Sequence, residues 1–434
     1  MSELKLEAGF KEPKISGLPD GWKFKRLEEF SKFFQGGKLG LTKEYDYVSS
    51  GVPAFSAAGQ DGYVEKCEFN NSDAVILSAI GANCGRCFYA SGDWTTLANV
   101  QAIVPESDVI AKYLFFRVSI EGYWTRSGSA QPFIKPSSAK KSWIAYPAST
   151  LVQSKIVEVL DTIDEAIEQT EALIEKYSLV KAGMMHDLFT RGLTPDGKLR
   201  PPREEAPDLY KETPIGWLPK EWDYADIGTL KETLVDGPFG SNLKTEHYVT
   251  DPGVRVVRLQ NIQSGKYNDA DRAYVSDAHA LALSRNKVVG NDILIAGLGE
   301  DRYPVARACL YPVKLPPALN KADCFRLRCD SSKVINPFMM FFLNTPPARQ
   351  QVRRYEQGVT RPRINLGNMN RILAPKPDLD EQALICERLL KLDDLVALET
   401  DKRLKLSTKK TGLMRDLLTG EVTVKVDEPE AAHV

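Results

Sequence analysis

Histidine and cysteine are sparse in this 434-residue sequence, and neither forms a recognisable catalytic or metal-binding cluster. The four histidines stand far apart, at positions 186, 247, 279 and 433. This spacing argues against a histidine-based triad or metal cluster. The seven cysteines are an odd number without a regular framework, which fits reduced thiols in a cytosol. Because no histidine lies near the lone Cys84-x-x-Cys87 pair, we interpret it as buried or incidental thiols rather than a zinc site.

The sequence also lacks the signatures of several enzyme classes. It has no Gly-x4-Gly-Lys-Ser/Thr phosphate loop, and no Asp or Asn before Pro-Pro-aromatic as in amino-methyltransferases. It contains no run of 18 apolar residues and begins with a polar stretch, so we expect neither a membrane span nor a secretory signal. We therefore predict a cytoplasmic protein that has no catalytic residue, no metal and no cofactor of its own.

An excess of one charge is lacking as well, because the formal net charge is −1. Any surface that binds nucleic acid must therefore be a local one. The richest basic stretch has six arginines in 23 residues and a single acid, Glu356. The arginines are Arg349, Arg353, Arg354, Arg361, Arg363 and Arg371. The planar guanidinium matches phosphate and guanine edges, although a charge run can also be no more than a solvated face.

What the sequence does contain is a long apolar seam between residues 151 and 190. Ten positions step by alternating four and three residues, and eight of them are apolar. This period of 3.5 is typical of a long helix in a coiled coil. Its central apolar positions are Ile156, Leu160, Ile163, Ile167 and Ile174. Such a helix would be about 60 Å long, and its apolar stripe needs a partner.

The partner helix is in the same chain. Adding 229 to each seam position gives a second seam with seven apolar members. These are Ile385, Leu389, Leu392, Val396, Leu406, Leu413 and Leu417. The polar interruptions coincide too, at 170/399 and 181/410, which two unrelated amphipathic helices would not share. We predict that the two helices pair as an antiparallel coiled coil, because the first helix delivers the chain where the second domain must start.

A second motif extends the repeat to the whole chain. Leu18-Pro19-x-x-Trp22, with a similar stretch from Phe10, recurs as Leu218-Pro219-x-x-Trp222. The sequence therefore predicts a tandem duplication of globular segment and long helix. The predicted segments are a globular segment 1–150, helix 151–191, a Pro-rich surface linker 192–221, a globular segment 222–378, helix 379–420 and a polar tail 421–434.

Each globular segment reads as an α/β domain with a modest sheet and long loops. Short apolar runs predict buried strands at residues 75–77, 102–104, 293–295 and 324–327. Aromatic-rich runs at 113–116 and 338–343 indicate short helices or buried segments. The copies also align at polar loops. Ala98-Asn99 is paired with Leu319-Asn320, and Gly128–Ile134 is paired with Gly358–Ile364.

These features resemble the specificity (S) subunit of type I restriction–modification enzymes over residues 10–420. Further local matches are Asp236-Gly237-Pro238-Phe239-Gly240-Ser241 and the helix opening Asp380-Glu381-Gln382-x-x-Ile385. The first copy departs from the pattern, with Phe34-Gln35-Gly36-Gly37 at the loop and Val152-Gln153 in place of Glu-Gln.

The resemblance implies a non-catalytic reader of double-stranded DNA. Each globular segment would be a target recognition domain for one half of a split sequence. The helices would dock two methyltransferase (modification) subunits, and restriction (helicase-nuclease) subunits would join the assembly. Two alternatives stay open: an orphan DNA-binding or regulatory protein, and an enzyme with an unrecognised site in the Gly36 or Asp236 loop.

The candidate DNA contacts are polar and basic residues in the predicted loops and the basic stretch. In the first segment they are Gln35, Lys38, Arg86, Asn99, Ser129, Gln131 and Lys135. In the second they are Ser241, Asn242, Arg302, Asn320, Arg349, Arg353, Arg354, Thr360, Arg361 and Arg363. Gly358 and Pro362 predict that residues 357–363 form a loop, with Arg361 and Arg363 pointing in different directions. The helical spacing of Arg349, Arg353 and Arg354 assigns them to phosphate.

Overall fold

A computed structural model describes residues 18–106, 108–128, 130–250, 253–300 and 302–426. The stretch from Phe10 that repeats at 210, the candidate contact Ser129, the side chain of Ser241 and the end of the tail lie outside these residues. The chain divides into two compact units. Unit 1 comprises residues 1–172 and 399–434, and unit 2 comprises residues 173–398. Each long helix therefore contributes one half to each unit.

Unit 1 contains nine described strands and three short helices, followed by the first long helix. The strands are β1 Trp22–Arg26, β2 Ser31–Gln35, β3 Val52–Ser56, β4 Gly59–Val64, β5 Ala74–Ser78, β6 Cys87–Ala90, β7 Thr95–Thr96, β8 Val100–Pro105 and β9 Trp143–Pro147. The helices are α1 Lys43–Asp46, α2 Ala111–Val118, α3 Pro136–Lys140 and α4 Thr150–Thr190.

Unit 2 contains thirteen described strands, and its last helix is the second long one. The strands are β10 Tyr210–Thr213, β11 Gly216–Pro219, β12 Asp223–Asp226, β13 Lys231–Val235, β14 Tyr248–Val249, β15 Val254–Val257, β16 Tyr274–Val275, β17 Lys287–Val288, β18 Ile293–Ala296, β19 Ala308–Leu310, β20 Ala318–Asn320, β21 Cys324–Cys329 and β22 Leu373–Lys376. The helices are α5 Ile227–Leu230, α6 Asp277–Ala282, α7 Asn336–Leu343, α8 Pro346–Tyr355, α9 Leu366–Asn370 and α10 Leu379–Thr419.

The sheets repeat between the units. A four-stranded sheet has the order β2-β8-β5-β6 in unit 1 and β13-β21-β18-β19 in unit 2. The pairs β1-β9 and β12-β22 also correspond. A further sheet in each unit contains a parallel pair, β3-β7 or β15-β20, whereas the other strand pairs that the structure describes are antiparallel. The α/β class and the predicted strands are confirmed. β5 and β18 are fully buried along their length, which explains their continuous apolar sequence.

The two long helices confirm the predicted seams. All twelve apolar seam residues named above are buried or half-buried. Within unit 1, the first half of α4 faces the second half of α10, since Lys410 pairs with Asp164 at 2.5 Å and Arg403 pairs with Glu171 at 3.3 Å. As the α10 number falls by seven, the α4 number rises by seven, so the packing is antiparallel. None of the helices in the described ranges is long and apolar enough to cross a membrane.

The shared polar interruption of the seams has a structural reason. In unit 1, the seam lysine of α10, Lys410, pairs with Asp164 and lies 5.7 Å from the ring centroid of Phe116. In unit 2, Lys181 of α4 pairs with Asp393 and lies 5.3 Å from the ring centroid of Phe341. Each lysine thus satisfies its charge within its own unit, against an acid of the facing helix and an aromatic face.

The end of each long helix closes against a tryptophan of the unit that it enters. Gly192 has a φ of +65°, and a Cβ there would lie 2.4 Å from the Trp222 ring. Gly420 has a φ of +77°, and its Cβ would lie 2.9 Å from the Trp22 ring. Only glycine fits these two left-handed, crowded helix ends. The repeated Leu-Pro-x-x-Trp motif is therefore the docking site for the end of a long helix.

The start of each long helix is fixed by a buried glutamine. The Gln153 amide nitrogen donates to the carbonyls of Asp108 and Pro147, both at 2.9 Å, and its oxygen accepts from the Ile110 N–H at 2.8 Å. Gln382 repeats all three bonds in unit 2. In Val152-Gln153 the glutamine of the Glu-Gln pattern is therefore kept with its hydrogen bonds, and only the glutamate carboxylate is absent.

The prediction that residues 192–221 are a surface linker holds only in part, because most of these residues are exposed but several are packed into unit 2. Leu193 and Leu218 are buried in the core of unit 2. Arg200 is also buried, and it donates to the Glu381 carboxylate at 2.6 Å. The prolines indicated irregular backbone, but part of this stretch forms the β10–β11 hairpin and part is held by Glu381.

Candidate nucleic-acid interface

A short hairpin occupies the same place in each unit. In unit 1, Ser127 and Phe133 exchange two backbone hydrogen bonds of 2.8 Å. In unit 2, Gln357 and Arg363 exchange two of 2.9 and 2.8 Å. These bonds confirm that residues 357–363 form a loop and that the two segments were aligned correctly.

Glycine and proline give the two hairpins the same shape. Gly128 and Gly358 have φ values of +84° and +91°, in the left-handed region that favours glycine. Pro132 accepts a hydrogen bond from Gly81 N–H at 2.9 Å, and Pro362 accepts the corresponding bond from Gly299 at 2.8 Å. Each hairpin is therefore anchored just beyond a buried strand, β5 or β18. A rigid strand supporting an exposed loop is the usual setting of a binding surface.

Two turns lie beside each hairpin. A Cβ on Gly36 would lie 2.4 Å from the Leu97 carbonyl oxygen, and one on Gly237 would lie 2.0 Å from that of Lys321. The turn after β2 thus contacts the turn before β8, as the turn after β13 contacts the turn before β21. Gln35 in unit 1 therefore corresponds to Asp236 in unit 2.

The pairing of Asn99 with Asn320 was wrong by three residues. Asn99 has a φ of +69° and accepts a hydrogen bond from Ala79 N–H at 2.9 Å. Asp323 has a φ of +63° and accepts the same bond from Gly297 at 2.7 Å. Asp323 is therefore the true counterpart of Asn99.

Asn320 itself is excluded as a DNA contact. It is fully buried, and its amide nitrogen donates to the carbonyls of Val235 and Cys324 at 3.2 and 2.6 Å. Its oxygen accepts from the Asn286 amide at 3.2 Å. The asparagine ties together three segments of unit 2, which is a structural role.

Three candidates converge in unit 1. Gln35, Gln131 and Lys135 line one cavity of about 420 Å³, together with Phe133 of the hairpin. Lys38 is exposed on the neighbouring turn, with its ammonium 5.0 Å from the centroid of the Phe34 ring.

Two further candidates in unit 1 are exposed. Asn99 lies on the turn before β8. Arg86 lines a different cavity from the one beside the hairpin, shared with Cys87 and Arg126. Burial raises the pKa of the Cys84 thiol, and it raises that of Cys87 to about 12. Both sulfurs are therefore neutral thiols at neutral pH.

The equivalent surface of unit 2 is charged. Nη2 of Arg363 donates to Oδ2 of Asp323 at 2.7 Å. Behind this pair, Oδ1 of Asp236 accepts from the backbone N–H groups of Asp323 and Gly237 at 3.0 and 2.7 Å. Burial raises the pKa of the Asp236 carboxyl to about 6. Neither aspartate was among the predicted contacts, although the Asp236–Ser241 loop was one of the local matches to the family.

Arg361 faces away from this ion pair. It lines a cavity of about 320 Å³ with Gln260, Gln263, Tyr303 and other residues of the two adjoining loops. This agrees with the predicted divergence of Arg361 and Arg363. Thr360 is exposed near the tip of the hairpin.

The buried Arg307 forms the floor of the same cavity. It donates to the carbonyl oxygens of Ile262 at 2.7 Å, Leu259 at 3.0 Å and Leu298 at 3.1 Å. Its guanidinium holds the loops that shape the site. The sequence did not identify Arg307 as a residue of this site, because nothing in the adjoining sequence distinguishes it from an exposed arginine.

The basic stretch has a half-buried member and exposed members. Arg349 donates to the Val305 carbonyl at 2.6 Å and to the Asn344 side-chain oxygen at 2.9 Å, and burial lowers its pKa to about 10. Its assignment to phosphate is withdrawn, because those donors hold α8 against the domain. Arg353 and Arg354 are exposed on the last turn of α8.

The other two candidates are exposed on loops of unit 2. Arg302 lies between β18 and β19, and Asn242 lies in the turn after β13. The Asn242 carbonyl is 2.8 Å from Nε2 of His279, which ties this turn to α6.

Comparison with known proteins gives one consistent family. The sequence model of the family described as "Type I restriction modification DNA specificity domain" matches residues 19–176. The type I restriction enzyme MjaVIII specificity subunit of Methanocaldococcus jannaschii is 23% identical, over 96% of this chain and 97% of that protein.

Two solved structures share the fold over nearly their whole length. The S subunit of a type I restriction–modification system from M. genitalium matches with a TM-score of 0.60 and 15% identity, covering 93% of this chain and 98% of its own. A chain from a study of complex assembly and conformational transition of the type I restriction–modification system matches with a TM-score of 0.51 and 12% identity, covering 94% and 100%.

Proposed function

We propose that the chain is a type I restriction–modification specificity subunit in which unit 1 and unit 2 each read one half of a split DNA target. The observation that carries the proposal is the repeated surface. Both units present a hairpin and two adjoining turns on the same backbone, anchored by the same hydrogen bonds.

The side chains on this common backbone differ, as two readers of different sequences require. Unit 1 presents neutral groups at Gln35, Asn99 and Gln131. Unit 2 presents Asp236 and Asp323 at the first two of these positions, and an arginine at the third. Amides, carboxylates and guanidinium groups each match different base edges in the major groove. We therefore assign base reading to this surface as a whole and expect the two half-sites to differ.

Exposed cations around the hairpins suit the phosphate backbone. Lys38 and Arg86 in unit 1, and Arg353 and Arg354 in unit 2, are exposed and lie outside the hairpins. Phosphate contacts position a protein on DNA without selecting a sequence, so these residues would set affinity and salt dependence.

The helix pair is the proposed docking platform for two methyltransferase subunits, which restriction subunits would join. S-adenosylmethionine and ATP would be used by those partners and not by this chain. Leu179 of α4 and Leu398 of α10 are 67% and 62% exposed, so unit 2 offers apolar helix surface. Val157 and Val159 of α4 are partly buried against the core of unit 1 and are not part of this exposed surface. A subunit that reads chromosomal DNA would work in the cytoplasm.

The test is to map methylated adenines in a host without its own adenine methylation. The chain would be co-expressed there with a type I methyltransferase subunit from the same genome. We expect one split motif, methylated only when both proteins are present. Methylation without a split motif, or the same motif without this chain, would refute the proposal.

The alternatives give different outcomes in vitro. The isolated chain would bind a specific duplex with full affinity if it were an orphan regulator. It would transfer methyl groups or hydrolyse nucleotide by itself if the Gly36 or Asp236 loop formed an enzyme site. We expect neither.

A further inference from the structure

The side chain at the end of the hairpin differs most between the units. Phe133 and Arg363 occupy the same backbone position. Each forms a β-bridge with the first residue of its hairpin, Ser127 or Gln357, and a second one with a residue just beyond the buried strand, Ile80 or Leu298. Phenylalanine has no hydrogen-bond donor, whereas the guanidinium has five. The two units therefore cannot read the base step at this point in the same way.

Arg363 is held in place and still exposed. Its side chain is 53% exposed, and its Nη2 donates to an Asp323 carboxylate that is only 17% exposed. Asp323 is fixed in turn, because its own N–H donates to the Asp236 carboxylate at 3.0 Å. One terminal nitrogen is thus anchored on the inner side, while the outer side of the same planar group faces solvent.

The surrounding charge disfavours a phosphate at this position. A phosphate bound to Arg363 would lie close to the Asp323 carboxylate, with Asp236 behind it, and like charges repel. A base edge carries no net charge and suffers no such penalty. An arginine backed by carboxylates is therefore suited to reading a base, in contrast to the exposed Arg353 and Arg354.

We propose that Arg363 reads a guanine in the half-site of unit 2, and that Asp323 is its positioning residue. This inference rests on the proposed function. Arginine donates two parallel hydrogen bonds to guanine O6 and N7, and a fixed guanidinium plane favours that geometry. The corresponding step of the other half-site is not read by hydrogen bonding, since Phe133 offers only apolar contact, such as with a thymine methyl group.

The test uses the complex that the chain forms with methyltransferase subunits. Its Kd is measured on a set of duplexes in which each position of the unit 2 half-site carries each of the four bases in turn. Arg363→Ala should abolish a guanine preference at one position, a loss of about 5- to 160-fold in selectivity, and leave the other positions unchanged. Arg363→Lys should retain only part of it, because a lysine lacks the planar fork.

Asp323→Asn should weaken the same preference with the melting temperature kept, an effect that a purely structural residue would not have. Arg203→Ala, which removes one positive charge from unit 2 outside the hairpin, is the control and should leave every preference intact. Phe133→Ala should alter only the other half-site.

Two results would overturn the inference. One is that Arg363→Ala weakens binding equally on all duplexes, which is the behaviour of a phosphate contact. The other is that selectivity is lost at a position where the preferred base is not guanine, or at none. The proposed function fails separately, if the unaltered complex shows no base preference at any position.

Discussion

The most consequential buried charge in the described part of unit 2 is Glu381, the residue of the helix opening that unit 1 lacks. Its carboxylate accepts from Arg200, from Trp222 Nε1 at 2.9 Å and from the Leu193 N–H at 2.6 Å. The side chains of Glu381 and Arg200 are both only 7% exposed. This carboxylate therefore joins the segment between Leu193 and Trp222 to the start of α10.

Glu381→Ala should destabilise unit 2 by about 3–5 kcal/mol, because it leaves a buried guanidinium and an indole N–H without this partner. Glu221→Ala is the matched control. It removes the other carboxylate on Arg200, which is 76% exposed, and should cost less than about 1 kcal/mol. Chemical unfolding followed by tryptophan fluorescence measures both. Equal losses in the two variants would contradict the burial argument.

Asp236 gives unit 2 a pH dependence of defined sign. Its folded pKa of about 6 lies above the ordinary aspartate value of 3.8, so the folded state holds the proton more tightly than the unfolded state. Asp236 therefore adds no penalty at pH values below about 4, where it is protonated in both states. The penalty grows as the pH rises from about 4 to about 6, and it stays constant at higher pH because Asp236 is then ionised in both states.

Asp236→Asn should therefore raise the melting temperature of unit 2 at pH 7.5 and leave it unchanged near pH 4. The asparagine oxygen can still accept from the N–H groups of Gly237 and Asp323. Melting curves from pH 4 to 8 measure the difference. A shift of the same size at both ends of this range would show that the substitution acts through something other than the charge.

Not every residue could be assigned from sequence. The hairpin was predictable because Gly358 and Pro362 constrain its backbone directly. Asn320 was mistaken for the counterpart of Asn99 because the copies differ in loop length, so a slip of three residues left a plausible match. Arg349 was assigned to phosphate because helical spacing does not reveal which face of a short helix is packed.

At the scale of elements, the long helices were the most predictable part of the fold. Their seams are set by a strict period over about forty residues, which few alternatives can imitate. What the period does not reveal is where each end docks. The contacts of Gly192 with Trp222 and of Gly420 with Trp22 depend on tertiary packing. The repeated Leu-Pro-x-x-Trp motif indicated only that the two copies share a feature at this place.

The exposed leucines of the helices provide a test of partner docking. Leu179→Asp combined with Leu398→Asp should reduce co-purification with the methyltransferase subunit by about tenfold, because charges would replace apolar contact area. The chain should stay folded, since both side chains are exposed. Val313→Asp, at a position that is 78% exposed and lies outside the helices, is the control. An intact complex in the double variant would place the docking face elsewhere.

At the scale of the whole molecule, each unit has its own core and its own copy of the recognition surface. Replacing residues 22–147 with the equivalent segment of a relative should therefore change one half of the methylated motif and leave the other half as it was. The replacement should keep Trp22 and the carbonyls that accept from Gln153, since the helices depend on them. Methylated-adenine mapping reads out both halves, and a change in both would contradict independent reading.

The unequal continuity of the two units has a consequence for synthesis on the ribosome. Unit 2 is one uninterrupted segment, so it can complete its core soon after residue 398 has emerged. Unit 1 begins earlier in the chain than unit 2, yet its core includes Leu417 and Leu418, which are made after the whole of unit 2. The usual vectorial order, in which the N-terminal domain folds first, is thus reversed. The part of unit 1 that is made first therefore keeps some of its apolar surface exposed until the last turns of α10 have been synthesised.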